Sequence, residues 1–211
     1  VWYTDPMTTS RAPGAVLCDI DGVIRFFDHR EVDRLEAAAG LAPGTTFGVA
    51  FAEELVRRLV LGGLSRPEWT AEIARALGPG VPAGRAAALA AAFTGSPVRA
   101  EPEVVESLRR AKRRAPVLLV TNATLWLEED LAALGLADLA EGVVNSARVG
   151  AAKPDPAIFR IAAERAGVPA EQCLFVDDSA ANAAAAGRLG MTAVHFREPA
   201  DLARALAPLW D

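Results

Sequence analysis

Cysteine is nearly missing from this chain: there are two in 211 residues, Cys18 and Cys173, far apart and each inside an apolar run. That excludes a disulfide-stapled scaffold and a thiolate zinc centre, and it suits buried, reduced thiols in a reducing cytosol. Long apolar runs are missing too. The longest, Ala86 to Phe93, is too short to cross a bilayer, and the opening segment Val1 to Gly14 has no signal-peptide core. Neither secretion nor membrane insertion is expected, and the expected location is cytoplasmic. Basic charge is in deficit, with 22 Lys and Arg against 27 Asp and Glu and a formal net charge of -5. Wrapping a nucleic acid is therefore not expected. No repeat of solenoid period is present.

Hydrophobic residue types are plentiful, at 52% against 23% charged, so the chain can bury a core of ordinary domain size. Residues 1–14 read as a flexible lead. Met7 lies inside it, so the residues before Met7 read as an upstream start or an added remnant and stand outside the fold argument. From Ala15 onward, apolar runs predict strands at Ala15 to Cys18, Val117 to Val120, Gly142 to Val144, Cys173 to Val176 and Thr192 to Val194. Helical stretches at Pro102 to Arg114, Leu125 to Leu134, Pro156 to Ala166, Ala180 to Leu189 and Ala200 to Leu206 alternate with most of them. That order predicts an α/β fold, a parallel sheet with helices on both faces.

One interval breaks the rhythm. Residues 25–97 show helix-like segments and no convincing strand, which predicts an inserted all-helical cap between two parts of the core, 15–24 and 98–211. Asp28 and Glu31 have the spacing of a capping box, and Ser65, Pro67 and Glu68 mark another helix start. Thr94-Gly95-Ser96-Pro97 supplies the turn chemistry of the way out.

Polar residues fall where parallel strands end. Asp19, Asp21, Thr121, Asn122, Asp177 and Asp178 all follow apolar runs, and in an open parallel sheet the carboxyl ends of the strands line the ligand crevice. Read singly, these groups have plain alternatives. Asp19-Ile20-Asp21-Gly22 alone is a strand ending in a polar turn, and Thr121-Asn122 is a good helix cap. Asp177-Asp178 is harder to explain without a cation, because adjacent acids repel. Lys153 stands in a stiff Lys-Pro-Asp-Pro run that starts a helix; in the crevice it would neutralise acids and bind an anion. Together these hard oxygen donors suit Mg²⁺, which takes a few carboxylates plus water and phosphate oxygens. An aspartate nucleophile, a cation, a hydroxyl, an amide and a lysine are the parts of phosphoryl transfer.

DIDGV from Asp19, VTN ending at Asn122, KPDPAIF from Lys153 and FVDDS from Phe175 resemble, in this order, the four signature motifs of the haloacid dehalogenase-like hydrolase superfamily. The resemblance runs from about Val16 to Phe196 and implies a Rossmann-like core with a small helical cap of the C1 type. It implies that Asp19 is the nucleophile on phosphorus. Asp21 would be the acid/base, carrying a proton when the leaving alcohol departs. It implies that Asp19, the Asp21 carbonyl and Asp178 bind Mg²⁺, with Asp177 assisting directly or through water. Thr121, the amides of Asn122 and Ala123, and Lys153 would hold the phosphoryl oxygens. The second acid, Asp21, favours phosphate chemistry over dehalogenation. The implied activity is a Mg²⁺-dependent phosphatase acting on a small phosphorylated metabolite. A phosphosugar mutase keeps the same two acids, and a non-catalytic phosphometabolite-binding protein keeps the same pocket.

Other features carry plainer readings. The basic residues Arg109 to Arg114 end a predicted helix, where cations complement its dipole. His29, near the cap entry, could touch substrate, but an exposed histidine near a helix start is the leading reading; His195 reads as structural; Trp126 could wall the pocket, and Trp69 is similar, with core packing the leading reading for both. Arg57, Arg58, Arg66 and Arg75 could read a substrate's far end, but helix arginines are usually solvated, and none is nominated.

Overall fold

The computed structural model describes residues 12–210; the first eleven residues of the lead, Met7 among them, lie outside the described residues. Five strands make one parallel sheet: β1 (Ala15–Cys18), β4 (Val117–Thr121), β5 (Gly142–Asn145), β6 (Cys173–Asp177) and β7 (Thr192–His195), in the order β5-β4-β1-β6-β7. Strand pairing places Cys18 beside Leu119 on one side and Val176 on the other, so β1, β4 and β6 finish near the same level.

Side chains leave a strand on alternate faces, and this sheet buries both. Val16, Cys18, Val117, Leu119, Leu174 and Val176 pack on one side with α6 (Pro102–Lys112), α7 (Leu127–Ala133) and α11 (Pro199–Leu206). Ala15, Leu17, Leu118, Val120, Cys173 and Phe175 pack on the other with α9 (Pro156–Ala166) and α10 (Ala180–Gly187). Each fully buried Val or Leu contributes about 1.5–3 kcal/mol by leaving water. Local chemistry starts the helices on the second face. Asp155 caps α9 by accepting the Ala157 amide, Pro156 fits the first turn, and Ser179 caps α10.

Between β1 and β4 the chain forms α1 (Arg30–Ala39), α2 (Thr45–Ala50), α3 (Glu53–Val60), α4 (Arg66–Leu77) and α5 (Ala83–Thr94). These helices share their own apolar cluster, which includes Val32, Ala50, Ile73, Leu77, Leu89 and Phe93. Ser65 and Glu68 form the reciprocal capping box at the start of α4. Two expectations need correction. A strand does occur in the interval: β2 (Arg25–Phe27) pairs antiparallel with β3 (Val98–Ala100), so the way into the helices and the way out form one two-stranded ribbon. Asp28 and Glu31 do not form a capping box either. The Asp28 carboxylate takes the amide and guanidinium of Arg30, and Glu31 pairs with Arg34.

The insertion also meets the core at a short helix, α8 (Ser146–Val149). The Ser146 hydroxyl donates to the Val60 carbonyl at 2.6 Å. Among the described residues no helix is long and apolar enough to cross a membrane.

Candidate active site

Three central strands deliver the site. The Asp19 amide donates to the Val176 carbonyl at 2.9 Å, which carries the β1–β6 pairing one residue further and sets Asp19 beside the end of β6. β6 finishes in Asp177, and β4 in Thr121. Lys153 arrives on the loop before α9. Asn122 fixes that loop: its Nδ2 donates to the Lys153 carbonyl at 2.8 Å, and its Oδ1 accepts the Lys153 amide at 2.7 Å.

The Lys153 ammonium lies 2.8 Å from Asp19 Oδ1 and 2.6 Å from Asp177 Oδ2, and it donates to the Val120 carbonyl at 3.0 Å. All three of its protons have acceptors. Asp177 is fully buried, and its other oxygen accepts the Ser179 amide and Asn182 Nδ2. Asp178 faces the cavity and is the most open of the three acids. Burial pushes the Asp19 carboxyl up to about 7, against the pull of Lys153. Burial and then Asp177 also raise Asp178. Burial pulls Lys153 the other way, but Asp19 and Asp177 outweigh it and hold the ammonium above its usual range.

One ammonium thus bridges two carboxylates, and Asp178 adds a third to a cluster in which each offers an oxygen within 4.8 Å of the others. Ionised together they leave uncompensated negative charge that a proton or a cation must meet. The all-oxygen donor set fits a hard divalent ion. Gly22 shows how closely the two strand ends approach: its φ is +82°, and a Cβ there would overlap the Asp178 carboxylate. Only glycine accepts both conditions at once.

Asp19, Lys153, Asp177 and Asp178 therefore meet, and Thr121, Asn122 and Ala123 line the same cavity of ≈ 540 Å³. Asp21 lines it too, but its carboxylate faces Arg25 of β2, with Nε to Oδ1 at 2.6 Å and Nη2 to Oδ2 at 3.0 Å. One expectation for the anion site is corrected: the Ala123 amide donates to Ser146 Oγ at 3.0 Å and is committed to that hydroxyl. Asn122 does not cap the following helix, which begins at Leu127; its side chain holds Lys153 instead.

Sequence reasoning passed over several residues that border the cavity. Arg25, nearly buried, also reaches Asp130 at 3.1 Å, and Asp130 pairs with Arg66 of α4 at 2.6 Å. A lone arginine between Ile24 and Phe26-Phe27 was the available signal. Ser146, which does not line the cavity but holds the Ala123 amide beside it, follows Val144-Asn145, a polar strand end like the other three. His29, Trp126 and Arg66 line the cavity, the alternative rather than the leading reading for each, while Trp69 both lines it and packs against the insertion's apolar cluster. His195 keeps its structural reading, with Nε2 3.0 Å from the Asp178 carbonyl.

Residues 13–190 match the haloacid dehalogenase-like hydrolase family. A curated relative, Phosphatase MT3486 of Mycobacterium tuberculosis (strain CDC 1551 / Oshkosh), is 30% identical over 188 residues, covering 79% of each chain. Among solved structures, a haloacid dehalogenase family enzyme from Bacteroides thetaiotaomicron has a TM-score of 0.67 at 19% identity, over 86% of this chain and 92% of its own. The same enzyme in complex with magnesium and inorganic phosphate gives a TM-score of 0.62 at 20% identity, over 86% and 92% of the two chains. The L-2-haloacid dehalogenase RSc1362 gives 0.61 at 24% identity, over 86% and 85%. At such identities the solved structures speak for the fold, a parallel five-stranded sheet with helices around it. With the family match spanning most of its length, the chain belongs to the haloacid dehalogenase-like hydrolase family.

Proposed function

We propose that this protein is a Mg²⁺-dependent phosphatase that hydrolyses a small phosphorylated metabolite through an aspartyl-phosphate on Asp19, beneath a cap made by α1–α5. The observation that carries this is the Lys153 ammonium set between Asp19 and Asp177, with Asp178 completing the acid cluster. The phosphatase relative and the magnesium and phosphate held by a neighbour of the same fold support it.

Asp19, Asp178 and the Asp21 backbone carbonyl would hold the ion, with Asp177 behind them. Bound there, Mg²⁺ supplies positive charge that screens the acids and binds phosphate oxygens. The chain's own residues do the rest. Lys153 and the end of β4 at Thr121 and Asn122 bind the phosphoryl oxygens and oppose charge that grows in the transition state. Asp19 attacks phosphorus, forming an acyl-phosphate bond as the ester P–O bond breaks, and Asp21 gives its proton to the departing alcohol. Asp21 then takes a proton from water, whose oxygen attacks phosphorus and releases phosphate and free Asp19. For the first step Asp21 must leave Arg25, take up a proton from solvent and meet the substrate oxygen, and Asp130 keeps the guanidinium partnered while it does.

The test is phosphate release from p-nitrophenyl phosphate by the purified protein. Release should need Mg²⁺, stop with EDTA, and be lost in Asp19→Asn. Full activity in that variant overturns the proposal.

A further inference from the structure

The cavity has two unlike halves. Asp19, Asp178, Thr121 and Lys153 form one end, and Phe27, His29, Phe47, Phe51, Phe93 and Trp126 wall the other. Phe27, Phe47 and Phe51 are 44%, 51% and 42% exposed, large apolar side chains left open to water around one space. A contiguous apolar patch of this kind marks a surface that a partner or ligand covers. The rings are already ordered. His29 stacks between Phe27 and Phe93, with centroids at 5.9 and 5.0 Å and planes within 4° of parallel. Phe47 and Phe51 stand against each other at 4.6 Å, and both meet Phe93 edge-on.

The hydroxyls of this half are already engaged. Thr94 Oγ1 donates to the Ala90 carbonyl, and Ser96 Oγ to the Ala92 carbonyl. Because the single Ser96 proton points to Ala92, the His29 Nδ1 that lies 2.9 Å from Ser96 Oγ is the donor. In the neutral ring Nε2 is then an acceptor. The cations are engaged as well: Arg25 pairs with Asp21 and Asp130, and Arg66 pairs with Asp130 and lies over the Trp126 ring at 5.1 Å. A polyol would find few open partners here beyond His29 Nε2, and a second phosphate or carboxylate would meet no unpaired cation among the lining residues. Both losses count against such a ligand to the extent that its binding drives water from the pocket.

We propose that the leaving group is a planar aromatic or heteroaromatic alcohol with no second anionic group, seated against Phe47, Phe51 and the His29 stack. Aromatic faces and edges reward a flat π-system beyond its area alone. This rests on the phosphatase reading above, and it sets hexose phosphates and bisphosphates among the poor substrates.

The experiment compares kcat/KM for 1-naphthyl phosphate, glucose 6-phosphate, glycerol 3-phosphate and fructose 1,6-bisphosphate with Mg²⁺. The naphthyl ester should exceed each of the others by about tenfold or more, as expected for one well-matched apolar subsite. In Phe47→Ala and Phe51→Ala, both at exposed positions, the ratio of naphthyl to glycerol ester should fall several-fold, chiefly through KM. A sugar ester or the bisphosphate turned over as well as the naphthyl ester overturns the proposal, as does an unchanged ratio in both variants. A second arm does not depend on turnover. Calorimetric binding of 1-naphthyl phosphate and glucose 6-phosphate to Asp19→Asn should favour the naphthyl ester by about tenfold. Equal or reversed affinity overturns the aromatic subsite even where no ester is hydrolysed, whereas failure of hydrolysis with that preference intact counts against the phosphatase reading alone.

Discussion

Asn122 grips the backbone of Lys153 from both sides, donating to its carbonyl at 2.8 Å and accepting its amide at 2.7 Å. The lysine's reach to Asp19 therefore depends on an amide 31 positions away in the chain. Asn122→Ala removes both bonds and should lower kcat about 10–100-fold, as losing the support of a positioned group commonly does. The fold should persist, because Lys153 keeps its two carboxylate partners. Steady-state kinetics with a melting curve checks this: kcat within twofold of wild type would show that the clasp does not position the ammonium.

Gly22 offers a sharper test of the proposed ion site. In Gly22→Ala the new methyl meets the Asp178 carboxylate, and the backbone is held at φ +82°, where an L side chain is strained. Mg²⁺ affinity should fall by about 10–100-fold, with a modest loss of thermal stability. Unchanged affinity, measured by magnesium titration of stability, would place the ion away from Asp178.

The raised acids give a pH dependence of definite sign. Asp19 in the fold lies near 7, above its ordinary value of 3.8, so between these the metal-free fold holds a proton that the unfolded chain has lost. Its contribution to stability is fully present below about 4 and is lost as pH rises through about 7. Asp178 is shifted in the same direction. Mg²⁺ competes with those protons, so its affinity should rise between pH 5 and 7.5. Asp19→Asn should flatten both trends. Wild-type magnesium affinity that stays flat over this range would contradict the shared site.

Arg25 joins Asp21 to Asp130, and Asp130 joins the core to Arg66. Arg25→Met should cost about 2–3 kcal/mol, because Asp21 loses its cation and Asp130 keeps only Arg66. The loss stays below that of a sealed pair, since Asp21 remains partly open to water. Denaturant unfolding measures it, and a loss below about 0.5 kcal/mol would reduce the network to an ordinary surface pair.

Much of the site was legible in the sequence, and for a physical reason. Parallel strands read as apolar runs, their carboxyl ends fall on one edge, and the polar residues that follow them must gather there. Asp19, Thr121, Asp177 and Asp178 needed nothing more, and Lys153 was legible as the surplus charge in a helix-starting loop. What failed depended on distant partners. Arg25–Phe27 is a strand only because Val98–Ala100 returns beside it, and three residues show no alternation by themselves. The engagement of the Ala123 amide by Ser146, and of Asp21 by Arg25, depends on which neighbours the fold supplies. Most of the aromatic wall was hidden for the same reason: a ring such as Phe47 or Phe93 on a helix has the same sequence pattern whether it faces a core or a cavity.

The most direct measurement is chemical trapping of the phosphorylated side chain. Wild-type protein mixed with Mg²⁺ and an aryl phosphate, quenched, and reduced with borohydride should convert the acyl-phosphate at position 19 to homoserine, read by peptide mass spectrometry. Asp19→Asn should show no such product. Sustained phosphate release with no trapped product at Asp19, or with the reduced residue found elsewhere, would contradict the account.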